Sequence, residues 1–395
     1  MNVCVLAVLH ESDDKRVYHK VIRSLAAAGY TVTYICPRAP VHRNQPVTWT
    51  DPEGIRFIHT PPASGLFSRL LATFRLIRVA RKVPSDVLVA PEPESWMSAL
   101  LLKMLCFGRT RVVFDMHEYV AGQFAHYFPP FLRPLVERLT RRVMRAMARF
   151  TRLIILTRES FDSEWAGLSV PRITVINTNH PQPPCAERAP ELTALGPDAE
   201  IILHQGVFSA KRGAYQLLDA VAVLAPHHPA LRCVILGRYV SDDEPRFRDA
   251  IHEKELTEHV VLIPEVPFSR VPSFIAGARV GLILFQPGIR NHVLAMPHKL
   301  FDYMREGCPV IAPDFAVEVA RIVRDTRCGL LVDVTRPEAI AEAIDRLLRN
   351  HELARTLGMN GRKAVEERYN WAYDEQVLLE GFARHVGSPD KPGRR

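Results

Sequence analysis

Residues 3–36 read V-C-V-L-A-V-L-H-E-S-D-D-K-R-V-Y-H-K-V-I-R-S-L-A-A-A-G-Y-T-V-T-Y-I-C, and three periodicities follow one another within them. Residues 3–9 are an unbroken apolar run, as a strand covered on both faces requires. Over 15–28, Val17, Val21, Ile22 and Leu25 recur at helical spacing, and Gly29 stops the helix. Residues 30–36 are again apolar and β-branched. Strand, helix and strand in this order form one βαβ unit, and such units build parallel, doubly wound sheets.

Outward from this unit the alternation continues, with strands predicted at 55–59, 86–90, 111–115, 152–156 and 173–176. It lapses at His180-Pro181-Gln182-Pro183-Pro184 and the polar stretch after it. It resumes with strands at 200–205, 231–236, 259–263, 279–285, 308–312 and 329–333, with helices between them. The last helices are predicted at 337–349 and 371–385. The expected organisation is therefore a Rossmann-like N-terminal domain at 1–180, a linker at 181–198 and a second Rossmann-like domain at 199–370. A closing helix at 371–386 packs back toward the first domain, and a flexible tail occupies 387–395. A chain of 395 residues is also long enough that two cores are expected by size. A cleft between two α/β domains is the natural ligand site.

The composition, 47% hydrophobic and 24% charged, is that of an ordinary soluble protein. A formal charge of +8 favours anionic partners. No module or stacking aromatic series accompanies the basic runs, so nucleic acid is not expected. No stretch approaches the ~20 apolar residues of a membrane span. The first residues lack a basic n-region and read as a strand rather than a signal peptide. Seven cysteines, Cys4, Cys36, Cys106, Cys185, Cys233, Cys308 and Cys328, are scattered and never in C-x-x-C spacing. They point to a reducing cytoplasm rather than to a zinc site or disulfide framework.

The chemistry concentrates in the second half. In residues 292–310, H-V-L-A-M-P-H-K-L-F-D-Y-M-R-E-G-C-P-V, Pro297 suits a first helical turn and Gly307 the position just past the helix. That leaves a helix of about three turns, with Lys299 and Asp302 on one face near its N-terminus. Such an end attracts an anion, and a carboxylate beside it accepts from paired ribose hydroxyls. On spacing alone, an exposed helix with an i, i+3 ion pair fits as well. Residues 205–213, Q-G-V-F-S-A-K-R-G, place Lys211 and Arg212 between Gly206 and Gly213 at a strand-to-helix turn suited to a diphosphate. In the first half, His10, Asp13, Asp14 and Arg16 lie where a strand hands over to a helix. We read them as acceptor-side residues, the alternative being helix capping by Ser12 or Asp13. Asp115-Met116-His117-Glu118 follows the apolar run 112–114, which makes His117 the strongest catalytic candidate of that half.

These segments together resemble retaining GT-B glycosyltransferases of family four. Residues 296–313 are similar to that family's donor-binding segment "P-x-K-x-F-E-Y-M-x-x-G-x-P-V-I", and Gly206–Gly213 to its "G-x-x-x-x-x-R-G" loop. Residues 13–17 and 115–118 are similar to "D-x-R-V" and "D-x-H-E", and residues 369–371 to "Y-N-W". The resemblance implies transfer of a sugar from a nucleoside diphosphate to a hydroxyl, with retention and with no metal or other cofactor. It implies catalytic roles for His117, Arg212 and Lys299. The donor would be bound by Gly206, Lys211, Arg212, Pro297, Lys299 and Asp302, and the acceptor would lie by His10, Asp14, Arg16 and Glu118. Three departures stand out: Leu294 replaces the first acid of the family's E-x7-E pair, Asp302 replaces the second, and Val207 replaces an arginine. A nucleotide-sugar epimerase of the same fold and a non-catalytic sugar-nucleotide-binding protein are the alternatives.

Residues 132–150 combine a stripe of Leu132, Leu135, Val136, Leu139, Val143, Met147 and Phe150 with Arg133, Arg138, Arg141, Arg142, Arg145 and Arg149. The preferred reading is that the stripe packs inward and the arginines face solvent. With the basic run 69–82, the second reading is peripheral docking on the acidic inner face of a membrane, beside a lipid-linked acceptor.

Overall fold

The computed structural model describes residues 1–63, 65–105 and 109–389; Cys106 and the tail beyond residue 389 lie outside the described residues. The chain divides into two compact units, one of Met1–Asn177 with the segment from Trp371 onward, the other of Thr178–Asn370.

The first unit is an eight-stranded sheet. Its strands are β1 (Asn2–Leu6), β2 (Thr31–Pro37), β3 (Thr48–Thr50), β4 (Arg56–Thr60), β5 (Val87–Ala90), β6 (Arg111–Met116), β7 (Leu153–Leu156) and β8 (Arg172–Thr174). They run in the order β3-β4-β2-β1-β5-β6-β7-β8, and only β3 is antiparallel to its neighbour. Its helices are α1 (Arg23–Ala27), α2 (Leu66–Ala80), α3 (Pro93–Leu105), α4 (Val120–Ala125) and α5 (Arg133–Ala148). β5 and β7 are buried along their whole length, as strands sandwiched between helical layers must be. On one face Val3, Val5, Val89 and Ile155 pack with Val17, Val21 and Leu25, and with Trp371, Leu378 and Phe382 of the last helix. Fully burying such side chains contributes roughly 1.5–3 kcal/mol each, so that helix belongs to the first unit although the second intervenes in sequence. On the other face Trp96 of α3 stacks on Phe114 at 4.1 Å, and Trp165 meets both edge-on.

The second unit is a wholly parallel six-stranded sheet of β9 (Glu200–Gln205), β10 (Leu231–Leu236), β11 (Val260–Ile263), β12 (Val280–Leu282), β13 (Val310–Pro313) and β14 (Gly329–Val332), in the order β11-β10-β9-β12-β13-β14. Its helices are α6 (Pro190–Thr193), α7 (Ala214–Leu224), α8 (Glu244–Glu253), α9 (Val271–Ala276), α10 (Arg290–Val293), α11 (His298–Arg305), α12 (Val317–Thr326), α13 (Pro337–Arg349) and α14 (His351–Glu367). The last helix of the chain, α15, spans Trp371–His385. Strand order reverses between β1 and β5 in the first unit and between β9 and β12 in the second. Loops diverge at such points and leave a crevice beyond the carboxyl ends of the strands.

Several local features differ from expectation. Residues 17–22 wind as a π-helix before α1 begins, a rare winding that gathers at functional sites. Asp14, not Ser12 or Asp13, caps this start: its Oδ1 accepts the N–H groups of Arg16 at 2.9 Å and Val17 at 2.7 Å. β3 was not anticipated; Trp49 fixes it by stacking on Phe57 at 4.7 Å. α14 was also unexpected, because Gly358 and Gly361 weaken its helical signal. These glycines let it press on its neighbours, Gly358 against the Gly307 carbonyl and Gly361 against Met304 of α11. α11 itself has eight residues, nearer two turns than three.

The preferred reading of the arginine-rich helix holds for Arg138, Arg142 and Arg149, which face solvent, but not for its apolar stripe. α5 buries Met144 and Ala148, while Leu135, Leu139 and Val143 of its apolar stripe face solvent. No helix among the described residues is long and apolar enough to cross a membrane.

Candidate functional site

In the second unit, β9 leads into a loop bounded by Gly206 and Gly213, at φ +87° and +86°. No atom lies within 4 Å of the Cβ position at Gly206, so a ligand can approach the backbone there. At Gly213 a Cβ would sit 2.5 Å from the Leu284 carbonyl oxygen, so only glycine lets this loop meet the one following β12. The Gln286 N–H donates to the Lys211 carbonyl at 3.0 Å, and its Nε2 donates to the carbonyls of Leu284 and Val334, both at 3.0 Å.

Two of the expected cations converge here on one ring. The Arg212 guanidinium lies 5.3 Å and the Lys299 Nζ 6.0 Å from the centroid of Phe285, within reach of cation–π attraction. His292 stacks on the same ring at 5.1 Å and holds the Gln286 carbonyl through Nδ1 at 2.9 Å. Lys299 is 7% exposed, and its Nζ lies 3.2 Å from Nε2 of His204. Burial, then the charges of Lys299 and Arg212, hold the His204 ring neutral, and the same nitrogen lies 3.3 Å from the Val207 carbonyl. Burial first and Arg212 second push the Lys299 pKa down to about 7, against the pull of Asp302. Burial lowers Arg212 as well. Among the described residues no carboxylate forms an ion pair with Lys211, Arg212 or Lys299. Like charges held close together, one of them buried, are satisfied by an anion.

Pro297 is the N-cap of α11 with extended backbone, and Gly307 follows the helix at φ +69°. Lys299 thus stands in the first turn, where N–H groups have no partner within the helix. Asp302 is 2% exposed, which excludes the exposed-helix reading. Its Oδ1 accepts from Asn179 Nδ2 at 2.6 Å and its Oδ2 from Gln205 Nε2 at 3.3 Å. Burial pushes its pKa up to about 6, opposed by Arg305 and by those hydrogen bonds. Leu294 closes the short helix α10 and offers no side-chain hydrogen bond.

In the first unit, β1, β5 and β6 end together around a buried network. Arg16 is 4% exposed, turned inward at the start of the π-helical winding. Its Nη2 donates to Asp115 Oδ1 at 2.8 Å, Nε contacts Oδ2 at 3.3 Å, and Nη1 donates to the Val175 carbonyl at 3.0 Å. Against the cost of burial, Arg16 and then His117 hold the Asp115 carboxyl well below the usual range. His117 Nε2 lies 2.9 Å from Asp115 Oδ2 and 3.2 Å from Arg16 Nε. The carboxylate contact requires the proton on Nε2, which leaves Nδ1 for other partners. The ring of His10 meets that of His117 edge-on at 4.8 Å, and its Nδ1 is 2.9 Å from Asp14 Oδ2. Burial opposes charge on His10, but Asp14, Glu92 and Asp115 raise its pKa. Glu118 is exposed. Thus His10, Asp14 and His117 come together, whereas Arg16 lies beneath them as their support.

Two family models tile most of the chain: residues 187–364 match glycosyl transferases group 1, and residues 15–179 match the glycosyl transferase 4-like domain. The chain belongs to the group 1 glycosyltransferases. This glycosyltransferase is 26% identical over 186 residues to the putative glycosyltransferase YtcC of Bacillus subtilis, covering 46% of the chain and 44% of YtcC. It is 28% identical over 204 residues to the phosphatidyl-myo-inositol mannosyltransferase of Mycobacterium leprae, covering 51% of each. The chain spans about half or less of the length of the curated relatives it matches. Among solved structures, Anabaena HepE in complex with UDP superposes with a TM-score of 0.71 at 12% identity, over 97% of this chain and 100% of that one. The fold is GT-B.

Sequence reasoning passed over Asn179, His204, Phe285 and Glu92. Glu92 is buried after β5 and accepts the N–H groups of Val8, Leu9 and His10 at 2.7–3.2 Å, so it shapes the loop that carries His10. Its only sequence signal is Pro91-Glu92-Pro93 at a strand end. Among the described residues no group of three or more His, Cys, Asp or Glu side chains is placed to hold a metal ion.

Proposed function

We propose that this glycosyltransferase holds a nucleoside-diphosphate sugar in its second unit and passes the sugar to an acceptor hydroxyl, with retention of configuration and without a metal. The observation that carries this reading is the gathering of Arg212 and Lys299 on Phe285, beside the open backbone at Gly206. When the bond from the anomeric carbon to the diphosphate breaks, negative charge grows on the leaving oxygen. Fixed cations, one of them buried, stabilise that charge, a task that a divalent ion performs elsewhere. Lys211 and the first turn of α11, with Pro297, complete the diphosphate side, and Asp302 serves the ribose once it exchanges Asn179 for sugar hydroxyls. His117, oriented through Asp115 and Arg16, offers Nδ1 to a hydroxyl of the donor sugar. His10, Asp14 and Glu118 serve the acceptor.

HepE was solved with UDP, with UDP and glucose, and with UDP-glucose, and we take the donor class from there. Retention rests on the motifs shared with family four. The M. leprae relative is named for a phospholipid acceptor. By extension we propose a glycan or lipid-linked acceptor of envelope or polysaccharide synthesis, met at the cytoplasmic face of a membrane. The test is a thermal-shift panel of UDP, GDP, ADP and dTDP with their sugars. A ligand at 100 times its Kd adds ~2.7 kcal/mol of stability, and Arg212→Ala should abolish that gain. A gain surviving in Arg212→Ala refutes the donor site. NMR of the product's anomeric proton decides retention, and activity lost on chelation would overturn metal independence.

A further inference from the structure

The helices on the α3 side of the first unit carry their apolar residues outward. α5 shows solvent Leu135, Leu139 and Val143, interleaved with Arg138 and Arg142. α2 does the same with Leu70, Leu71 and Phe74 beside the exposed Arg75 and Arg78, while its third arginine, Arg69, is paired with Glu94 of α3. On α3, Met97, Leu101, Met104 and Leu105 face solvent, Met104 being 75% exposed. The three helices are tied into one surface. Ser98 Oγ donates to the Thr73 carbonyl at 3.2 Å, joining α3 to α2. Lys103 Nζ donates to the Phe150 carbonyl at 2.8 Å, and Trp96 Nε1 to Thr151 Oγ1 at 2.9 Å, joining α3 to the end of α5. At the C-terminal ends of α2 and α3 opens a cavity of about 350 Å³, with Arg81, Lys82 and Arg109 around Leu102.

A helix that merely covers a core points its apolar residues inward. Here the core side of α5 is satisfied by Met144 and Ala148, and large apolar groups remain outside among cations. Water alone does not suit such a surface, since contiguous apolar area of this kind marks a contact. A protein partner would meet the apolar residues but leave the arginines needing matched acids. Only a surface that is apolar within and anionic at its rim meets both demands over three helices. We propose that the outer faces of α2, α3 and α5 dock the first unit on an acidic lipid bilayer, helices parallel to the membrane plane, apolar side chains inserted and arginine heads among lipid phosphates. This deepens the reading of a membrane-linked acceptor, but the binding stands or falls independently of catalysis.

The test is cosedimentation of the full chain with phosphatidylcholine vesicles, with and without phosphatidylglycerol. Binding is expected to be much stronger with the acidic lipid, and at high salt it should fall to the weaker level seen with phosphatidylcholine alone, because insertion is not screened. Each basic contact multiplies the partition about fivefold, so Arg138→Gln with Arg142→Gln should weaken it on the order of twentyfold. Leu139→Ser with Phe74→Ser should abolish the salt-resistant part. These residues are exposed, so the variants should fold, and their nucleotide thermal shift reports the donor site separately. Absence of binding to acidic vesicles at low salt would overturn the proposal. So would binding insensitive to Leu139→Ser with Phe74→Ser, or a vesicle-free dimer that this pair disrupts, which would make the surface an interface between copies of the chain.

Discussion

Lys299 provides the sharpest test of the donor site, because its proton and the ligand are coupled. Burial and Arg212 bring its pKa to about 7, so above neutral pH the ligand-free site holds an amine rather than an ammonium. A diphosphate restores the charge and takes up a proton. Affinity for UDP should therefore fall as pH rises above 7, by roughly tenfold between pH 6 and 8 and tenfold more per unit after that, or about 1.4 kcal/mol per unit. The slope is read above pH 7, because UDP itself takes up a proton below that, the second ionisation of a phosphate lying near pH ~6. Stability of the free protein should move the opposite way. Between about 7 and the unfolded value near ~10.4, the unfolded state binds the extra proton, so this group makes stability rise with pH. Calorimetric titration in two buffers of different ionisation enthalpy measures the proton uptake, and thermal melts measure the stability. Lys299→Met should bind UDP weakly at every pH and lose both slopes. A wild-type affinity that is flat from pH 6.5 to 8.5, without proton uptake, would refute the assignment.

Other consequences follow from the same geometry. Gly213→Ala should cost at least about 1 kcal/mol from its positive φ alone, and more from the contact with the Leu284 carbonyl; denaturant melts should show the loss together with weaker nucleotide binding. Asp115→Asn leaves Arg16 buried without its counter-charge, and the first unit should lose roughly 3–5 kcal/mol, read by chemical denaturation. Because the Asp115 pKa is depressed by folding, its contribution is present above the unfolded value near ~3.9 and is lost as acid brings pH down through the folded value. Asp302 acts in reverse. Its pKa is raised to about 6, so this group lowers stability as pH climbs from about 4 to 6, and Asp302→Asn should remove that slope from the melts.

What the sequence reveals and conceals here has physical causes. β10 and α13 are legible almost to the residue, the first as an apolar run interrupted only by Arg232 and the second as an amphipathic helix opened by Pro337. α11 is legible because Pro297 and Gly307 punctuate it. Periodicity identifies a stripe but not the direction in which it points. α5 can pack through Met144 and Ala148 because one is pliable and the other small, and so its larger stripe is released outward. Long-range partners are hidden for another reason: Asn179 and Asp302 are 123 residues apart, and no local rule pairs them. Lys299 was recognised as a cation, but its perturbed proton affinity comes from Phe285, His204 and Arg212 closing round it, which only the packed structure supplies.

The two units hold charge in opposite ways, and that contrast separates support from binding. In the first, Arg16 is buried with a carboxylate and a backbone carbonyl satisfying its donors. Such a closed network has nothing left to offer a ligand, so its value lies in fixing the ring of His117. In the second, Lys299 is buried beside another cation, with a neutral imidazole as its nearest polar neighbour. A fold selected only for stability would replace that lysine with an apolar residue, since desolvating a charge beside a like charge costs free energy that Asp302 only partly returns. The cost is offset when a diphosphate arrives. Lys299→Met should therefore be more stable than the parent chain below about pH 10 while losing the nucleotide. A less stable Lys299→Met variant with an unaltered backbone would mean that the ammonium already has its partner in the folded chain.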